Sequence, residues 1–147
     1  MRRFHRDLPG YHPTRLVAVP QLANELRVGR VLVKDESARL GLPAFKVLGA
    51  SWACSRALER SPGAVLVTAT DGNHGRAIAR TAKLSGTTAE VFVPAVMLDY
   101  TVALIESEGA VVTRVDGDYD EAVRAAVVYA GAASGRVLVQ DTAWGGI

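Results

Sequence analysis

Alternating strand and helix signals predict an α/β fold, with a parallel sheet covered by helices on both faces. Short apolar segments rich in valine and alanine recur from residue 64 onward, and segments with helical spacing separate them. The strand segments are apolar throughout instead of alternating, which is typical of strands buried on both faces. Strands that alternate with helices are typical of parallel sheets built from right-handed crossovers.

The elements are expected in the following order. Residues 1–20 are rich in proline, histidine and arginine, so we expect an extended segment there. Next come a short helix over 20–27, a strand over 30–36, and a helix over 45–60 that ends at a Ser-Pro-Gly turn. The regular part then predicts strands at 64–70, 89–94, 110–115 and 136–141, separated by helices at 74–86, 96–109 and 119–135.

Composition narrows the classes of function. Of the 147 residues 49% are hydrophobic, and the net charge of +2 is too small for a nucleic-acid interface. The sequence contains neither an apolar stretch of the ~20 residues that a membrane span needs nor a secretory signal. The single cysteine, Cys54, allows no intrachain disulfide, which favours a reducing, cytoplasmic compartment. We expect Cys54 to be a small buried side chain and not a nucleophile.

Lys46 is a lone charge in the apolar stretch LPAFKVLGASW. Lysine is scarce in this chain, since only three of the 17 basic residues are lysines. Burying an ammonium group is costly unless the group is paired, neutralised or covalently used. The residues alone leave two interpretations open: a lysine whose end reaches solvent, and a functional amine.

A glycine-containing turn, TATDGNHGRA, joins the first regular strand to its helix. Gly72 permits a tight turn, and the free N–H groups at the start of the helix favour an anion. Asp71 and Asn73 fit either such a site or simple helix caps. His74 by itself indicates a capping or packing role. Asp141 ends the fourth regular strand, and we expect its carboxylate on the same side of the sheet as the Asp71 turn.

No metal site is predicted. His5 and His12 do not lie at zinc-ligand spacing from His74. The acidic segment Asp116–Glu121 is similar in composition to a calcium loop, but its twelfth position is Val127, where such a loop has glutamate. It predicts a turn followed by the acidic start of a helix.

Three segments together resemble one known family. KDESARLGLPAFKVLGASWA, TATDGNHGRAIA and VLVQDTAW occur in the order found in fold type II pyridoxal-phosphate enzymes, the tryptophan synthase beta superfamily. Within it they are most similar to the diaminopropionate ammonia-lyases, and the resemblance runs from Leu8 to the C-terminus. It implies that residues 1–62 are the N-terminal part of a large domain and that residues 63–147 form a small αβα domain.

The resemblance implies pyridoxal 5'-phosphate as cofactor. In this family the lysine of a Phe-Lys pair at a helix start carries the cofactor as a Schiff base, which implies Lys46. The preceding aromatic side chain lies against the cofactor, which implies Phe45. The asparagine of the glycine turn hydrogen-bonds the phenolic oxygen of the cofactor, which implies Asn73. The bound cofactor delocalises the electrons that remain when the α-proton of the substrate departs.

The resemblance also implies a small amino-acid substrate. The turn holds the substrate carboxylate, which implies Thr70, Asp71, Gly72 and His74. An aspartate at the position of Asp71 distinguishes the diaminopropionate enzymes, which pair it with a second aspartate that corresponds to Asp141. The two carboxylates are implied as alternative bases for the two enantiomers of the substrate.

The implied reaction is α,β-elimination of 2,3-diaminopropionate to pyruvate and ammonia, by a protein that is a homodimer at full length. Two alternatives remain: a serine or threonine dehydratase of the same fold, and a non-catalytic α/β module that binds a partner. Rates with diaminopropionate, serine and threonine would separate the first alternative, and the absence of cofactor binding would favour the second.

The sequence departs from the family pattern in a few places. Leu40 stands where an aromatic residue is common, and Gly145 stands where an acidic residue is usual. No candidate is present for the glycine-rich phosphate cup of the family or for the residue that faces the pyridine nitrogen. We therefore expect an N-terminal fragment that is inactive alone, with Trp144 left uncovered. The alternative is a complete small domain with a disordered tail.

Overall fold

The computed structural model describes residues 1–141, which form two compact units. The first unit is Met1–Phe45, and the second begins at Lys46. The assignment of these segments to the large and small domains of a longer enzyme stays a prediction. Trp144 and Gly145 lie outside the described residues.

The first unit is built around a two-stranded antiparallel ribbon. The expectation of an extended segment over 1–20 is wrong in part, because this segment contains a one-turn helix and a strand. The strand forms because Val17 pairs with Val33, a partner that local sequence does not reveal. The elements are α1 (Arg2–Arg6), β1 (Leu16–Ala18), α2 (Pro20–Glu25) and β2 (Leu32–Lys34).

A buried guanidinium group holds this unit together. Arg39, which is 4% exposed, donates from Nε and Nη2 to the two carboxylate oxygens of Glu36 at 2.6 and 2.7 Å. The same side chain donates to the backbone oxygen of His12 and to Oγ1 of Thr14, both at 2.9 Å. Hydrogen bonding from Arg39 lowers the pKa of Glu36 to about 2. The bidentate pair holds the guanidinium group within the loop after β2, and its bonds to His12 and Thr14 tie that loop to the segment before β1.

The second unit contains the predicted alternation of helices and strands. All four strands are parallel, in the order β5-β4-β3-β6, as the apolar strand pattern predicted. The helix expected over 96–109 begins later, since Leu98 is still extended and serves as its N-cap. The elements are α3 (Lys46–Arg60), β3 (Val65–Ala69), α4 (Asn73–Leu84), β4 (Ala89–Pro94), α5 (Asp99–Glu106), β5 (Val111–Val115), α6 (Tyr119–Gly131) and β6 (Arg136–Leu138).

Helices cover both faces of this sheet, as predicted. On one face α6 buries its apolar side in a core cluster formed by Val67, Ala69, Phe92, Ala122, Val123 and Ala126. On the other face α4 approaches β3 so closely that a Cβ on Gly75 would lie 2.4 Å from Cγ2 of Thr70. Glycine is therefore required at this crossing, and α3 packs in turn against α4.

The strand order creates a switch point beside β3. The chain runs from β3 to β4 and β5 on one side, and then returns to place β6 on the other side of β3. In open parallel sheets the crevice beyond the carboxyl ends of such strands is where ligands bind. Within residues 1–141, no helix is both long and apolar enough to cross a membrane.

Candidate active site

Lys46 and Asp141 form an ion pair at the switch point. Lys46 is the first residue of α3, and its Nζ donates to Oδ2 of Asp141 at 2.6 Å across 95 positions of sequence. The two side chains are 36% and 22% exposed, so both are accessible to a ligand. Lys46 has no acidic neighbour in its own apolar stretch. Its partner, Asp141, lies just beyond the fourth strand of the sheet.

Asp141 lies among groups that keep its carboxyl ionised. Partial burial acts to raise its pKa, but the hydrogen bond from Lys46 and the nearby His74 and Lys46 charges outweigh this effect. The pKa of Asp141 therefore lies below its ordinary value of 3.8. A carboxylate that is ionised and partly shielded from water can accept a proton or bind an ammonium group.

The turn after β3 leaves two polar side chains exposed. Oγ1 of Thr70 accepts the backbone N–H of Gly72 at 2.9 Å and that of Gly75 at 3.0 Å, so a buried threonine caps the start of α4. The capping alternative for Asp71 and Asn73 is thus replaced by a cap from Thr70. Both side chains remain exposed at the carboxyl end of β3, where a ligand can reach them.

His74 is a packed side chain. It is 5% exposed, and its Nε2 lies 3.2 Å from the backbone oxygen of Val139. Because a carbonyl oxygen can only accept, Nε2 carries the proton in this contact. Burial lowers the pKa of His74, which favours the neutral ring. The packing interpretation is confirmed, and a role in substrate binding stays a prediction.

Tyr119 is a site residue that sequence reasoning missed. The pKa of Tyr119 is raised, mainly by burial and to a smaller extent by the charges of Asp141 and Asp71 and by a hydrogen bond with Asp141. The phenol therefore shares its surroundings with both carboxylates. Tyr119 begins the helix that follows β5, which places it at the carboxyl edge of the sheet, and this position in the chain was the available signal.

The remaining predicted residues lie as follows. Gly72 has φ 147°, a conformation that only glycine adopts readily, which confirms its role in the turn. Phe45 is the last residue of the first unit and is 61% exposed. Cys54 is fully buried, as expected, and burial raises the pKa of its thiol to about 12, which excludes a ready nucleophile.

The donor set suits a carbonyl-bearing organic cofactor better than a metal ion. Lys46 supplies a primary amine, and Asp141 supplies a neighbouring carboxylate. A Cβ placed on Gly49, one turn further along α3, would meet nothing within 4 Å, so space is available beside the lysine. Among residues 1–141, no group of three or more His, Cys, Asp or Glu side chains is placed to hold a metal ion.

Comparison with known proteins identifies a family for this chain. Residues 8–143 match the family model described as pyridoxal-phosphate dependent enzyme. The chain is 38% identical over 163 residues to diaminopropionate ammonia-lyase of Escherichia coli (strain K12), covering 99% of this chain and 41% of the relative. It is 39% identical to the enzyme of Salmonella typhimurium (strain LT2), covering 97% of this chain and 41% of that protein.

Solved structures give the same picture. The crystal structure of the Escherichia coli enzyme in complex with an aminoacrylate-PLP azomethine reaction intermediate aligns with a TM-score of 0.90 at 39% identity, covering 99% of this chain and 40% of that chain. A threonine deaminase from Solanum lycopersicum aligns with a TM-score of 0.76 at 20% identity, covering 87% of this chain and 34% of that chain, and shows the shared fold alone. The chain thus spans about two fifths of the length of the ammonia-lyases that it matches.

Proposed function

Because the chain belongs to the family of pyridoxal-phosphate dependent enzymes, we propose that it is part of an ammonia-lyase that acts on 2,3-diaminopropionate. One molecule of substrate and one of water give pyruvate and two molecules of ammonia. The single observation that carries the proposal is the Lys46–Asp141 ion pair beside the exposed Asp71 turn. The relatives at 38% and 39% identity support the choice of substrate.

Lys46 would hold the cofactor through Nζ, and Asn73 would bind its phenolic oxygen. Bound pyridoxal phosphate supplies an electron sink that stabilises the negative charge formed at Cα. To bind the cofactor, the amine of Lys46 would have to leave the carboxylate of Asp141. We propose that this carboxylate, once released, faces the substrate.

The two carboxylates would serve as alternative bases for opposite faces of Cα. The Asp141 carboxyl is ionised at neutral pH and can therefore accept a proton, and the hydrogen bond from Lys46 that lowers its pKa would be absent once the amine has left it. Asp71 is exposed on the neighbouring strand end. The carboxylate that does not take the α-proton would bind the side-chain ammonium of the substrate, a group that serine and threonine lack. This difference favours a diamino acid over a hydroxy amino acid.

Thr70 and His74 are buried side chains at the turn that carries Asp71. Thr70 fixes the turn by accepting the N–H groups of Gly72 and Gly75, so a substrate carboxylate would bind to other N–H groups of the turn. His74 contributes a neutral buried ring. Two further proposals accompany the activity: a homodimeric full-length protein and a cytoplasmic location, the latter supported by the single buried free thiol Cys54.

The proposal is tested by trapping the cofactor on the chain. The purified chain is mixed with pyridoxal phosphate, a visible spectrum is recorded, and borohydride reduction is followed by peptide mapping. We expect an adduct on Lys46 that is lost in Lys46→Ala. Lys83→Ala is the matched control, because Lys83 lies in the last turn of α4 and is exposed.

A reduced adduct on Lys34 or Lys83 in place of Lys46 would overturn the assignment of the lysine, and no adduct at all would favour a non-catalytic module. The substrate is tested separately on the whole protein. We expect Asp71→Asn to lower kcat/KM for diaminopropionate more than for serine. Faster turnover of serine or threonine than of diaminopropionate would overturn the substrate proposal.

A further inference from the structure

The ladder between β3 and β6 stops at Leu138, before β3 reaches its end at Ala69. Val67 pairs with Leu138, and the next ladder bond, from the Val139 N–H to the Val67 oxygen, is formed at 2.8 Å. In a regular parallel ladder the following bond would run from the Ala69 N–H to the Val139 oxygen. Among the described residues, neither of these two groups has the other as its partner.

Two side chains replace that bond. The Ala69 N–H donates to Oε1 of Gln140 at 2.9 Å, and the Val139 oxygen lies 3.2 Å from Nε2 of His74. Thr68 also donates from its hydroxyl to Oε1 of Gln140, at 2.6 Å. Because an N–H can only donate, the Gln140 atom that meets Ala69 must be the amide oxygen. Both backbone groups keep a partner, so the interruption leaves no lost hydrogen bond.

The next bond of a regular ladder is not formed either among the described residues. Regular pairing would let the Ala69 oxygen accept the N–H of Asp141. The Thr68 hydroxyl lies 3.2 Å from the Ala69 oxygen, but its single proton goes to Oε1 of Gln140 at the shorter distance of 2.6 Å. The Ala69 N–H, which would continue the ladder toward Asp141, is therefore bonded to the side chain of Gln140. The predicted strand over 136–141 ends at Leu138 for this reason.

We propose that Gln140 and His74 are positioning residues that stop the β3–β6 ladder and thereby direct Asp141 to Lys46. Asp141 follows Gln140 directly, so the course of the chain at Gln140 sets where the carboxylate lies. With the ladder closed, Asp141 would continue the strand and its carboxylate would move with the backbone. The importance of this placement rests on the proposed function, in which Asp141 acts on the substrate, but the interrupted ladder does not depend on it.

The groups that face Asp141 come from three helices. Lys46 reaches it from α3, His74 from α4, and Tyr119 from the start of α6. A displacement of Asp141 away from Lys46 removes the hydrogen bond that lowers the pKa of its carboxyl. The titration midpoint of the Asp141 carboxyl therefore reports where this side chain lies. A loss of stability that leaves Asp141 in place would not change this midpoint.

Gln140→Met is the main test, on the full 147-residue chain. Methionine has nearly the same length as glutamine and lacks the acceptor, and the amide nitrogen that it also removes is buried without a partner within residues 1–141. We expect the Ala69 N–H to bond to the Val139 oxygen in this variant and the titration midpoint of Asp141 to rise toward 3.8. Through-hydrogen-bond NMR couplings identify the acceptor carbon, and a carboxyl ¹³C titration, assigned with Asp141→Asn, gives the midpoint.

Thr68→Val is the matched control. It removes the other hydrogen bond to the same Gln140 oxygen but leaves the Ala69 N–H bond. We expect it to lower stability without changing the Asp141 midpoint. Gln140→Glu keeps an oxygen acceptor and should retain the Ala69 coupling to the side-chain carbon.

Two results would overturn the inference. One is a wild-type coupling from the Ala69 nitrogen to the Val139 carbonyl carbon, which needs no variant. The other is an unchanged Asp141 midpoint in Gln140→Met, or in Gln140→Ala should the methionine variant not fold. Neither measurement uses cofactor or substrate, so these results leave the Lys46 adduct experiment untouched, and a missing adduct leaves the strand geometry untouched.

Discussion

Nζ of Lys46 lies 2.6 Å from Oδ2 of Asp141, and this contact joins the first residue of α3 to the chain just beyond β6. The pair makes the position of the amine depend on how the last strand meets the sheet. It also makes the stability of the chain depend on the ionisation of one carboxyl group.

We expect Asp141→Asn to reduce the acid sensitivity of the fold. The pKa of Asp141 is lowered from 3.8, so its ionised form stabilises the chain above that pH, and the contribution is lost as the pH falls through the lowered pKa. Both side chains are partly exposed, so the effect should not exceed ~1 kcal/mol. Urea unfolding from about pH 7 to about pH 3 measures the difference between wild type and variant. If the difference in the free energy of unfolding between wild type and variant grew as the pH fell, the expectation would be contradicted.

Gly75→Ala should destabilise the second unit by about 1–3 kcal/mol, because the new methyl group would overlap Cγ2 of Thr70, 2.4 Å away. Thr70→Ser removes that methyl group and keeps the oxygen that caps α4, so the double variant should recover part of the loss. Gly49→Ala is the control, since a Cβ there meets nothing within 4 Å. It should leave stability unchanged or raise it by up to ~1 kcal/mol. If the effects of Gly75→Ala and Thr70→Ser on the free energy of unfolding were fully additive in the double variant, this clash would be excluded.

Glu108 joins two arginines of α4 to the end of α5. It is 6% exposed and accepts from Arg80 at 2.5 and 2.9 Å and from Arg76 at 3.1 Å. Burial acts to raise the pKa of Glu108, but the two guanidinium groups outweigh it and the pKa is lowered. The ionised form therefore stabilises the fold above the ordinary value of 4.5, and this is lost on acidification.

Glu108→Gln should therefore cost about 3 kcal/mol in the free energy of unfolding, because it leaves two partly buried positive charges without their counter-charge. Glu121→Gln is the control, since Glu121 pairs with Arg124 on the surface and should change stability by less than ~1 kcal/mol. Thermal or urea unfolding near neutral pH measures both variants. Equal effects at the two positions would show that burial does not decide the strength of these pairs.

Arg39→Lys should destabilise the first unit by about 2–4 kcal/mol, although the charge is kept. A lysine cannot reproduce the two-pronged contact with Glu36 together with the bonds to His12 and Thr14. Hydrogen exchange of residues in β1 and β2 measures the loss. Arg15→Lys is the control, because Arg15 is 85% exposed and 3.8 Å from Asp35. Unchanged hydrogen exchange in Arg39→Lys would mean that a positive charge at this position is enough to stabilise the first unit.

The sequence by itself determined the alternating elements of the second unit and the turn that presents Asp71. Strand and helix signals there are local, because apolar periodicity and glycine stops act within a few residues. The scarcity of lysine and the apolar surroundings of Lys46 also singled out this residue, although they left open whether it is a functional amine or a lysine whose end reaches solvent. Cys54 as a buried helix residue followed from the same local pattern.

Only the tertiary structure decided which groups meet. The order β5-β4-β3-β6 brings Asp141 to Lys46 across 95 positions, and no local pattern encodes which strand lies beside β3. Tyr119 and Gln140 escaped notice for the same reason, because their roles come from neighbours on other strands and helices. Pairing partners are chosen by the packing of the whole sheet, and the ladder that stops at Leu138 is set by side chains of two separate elements.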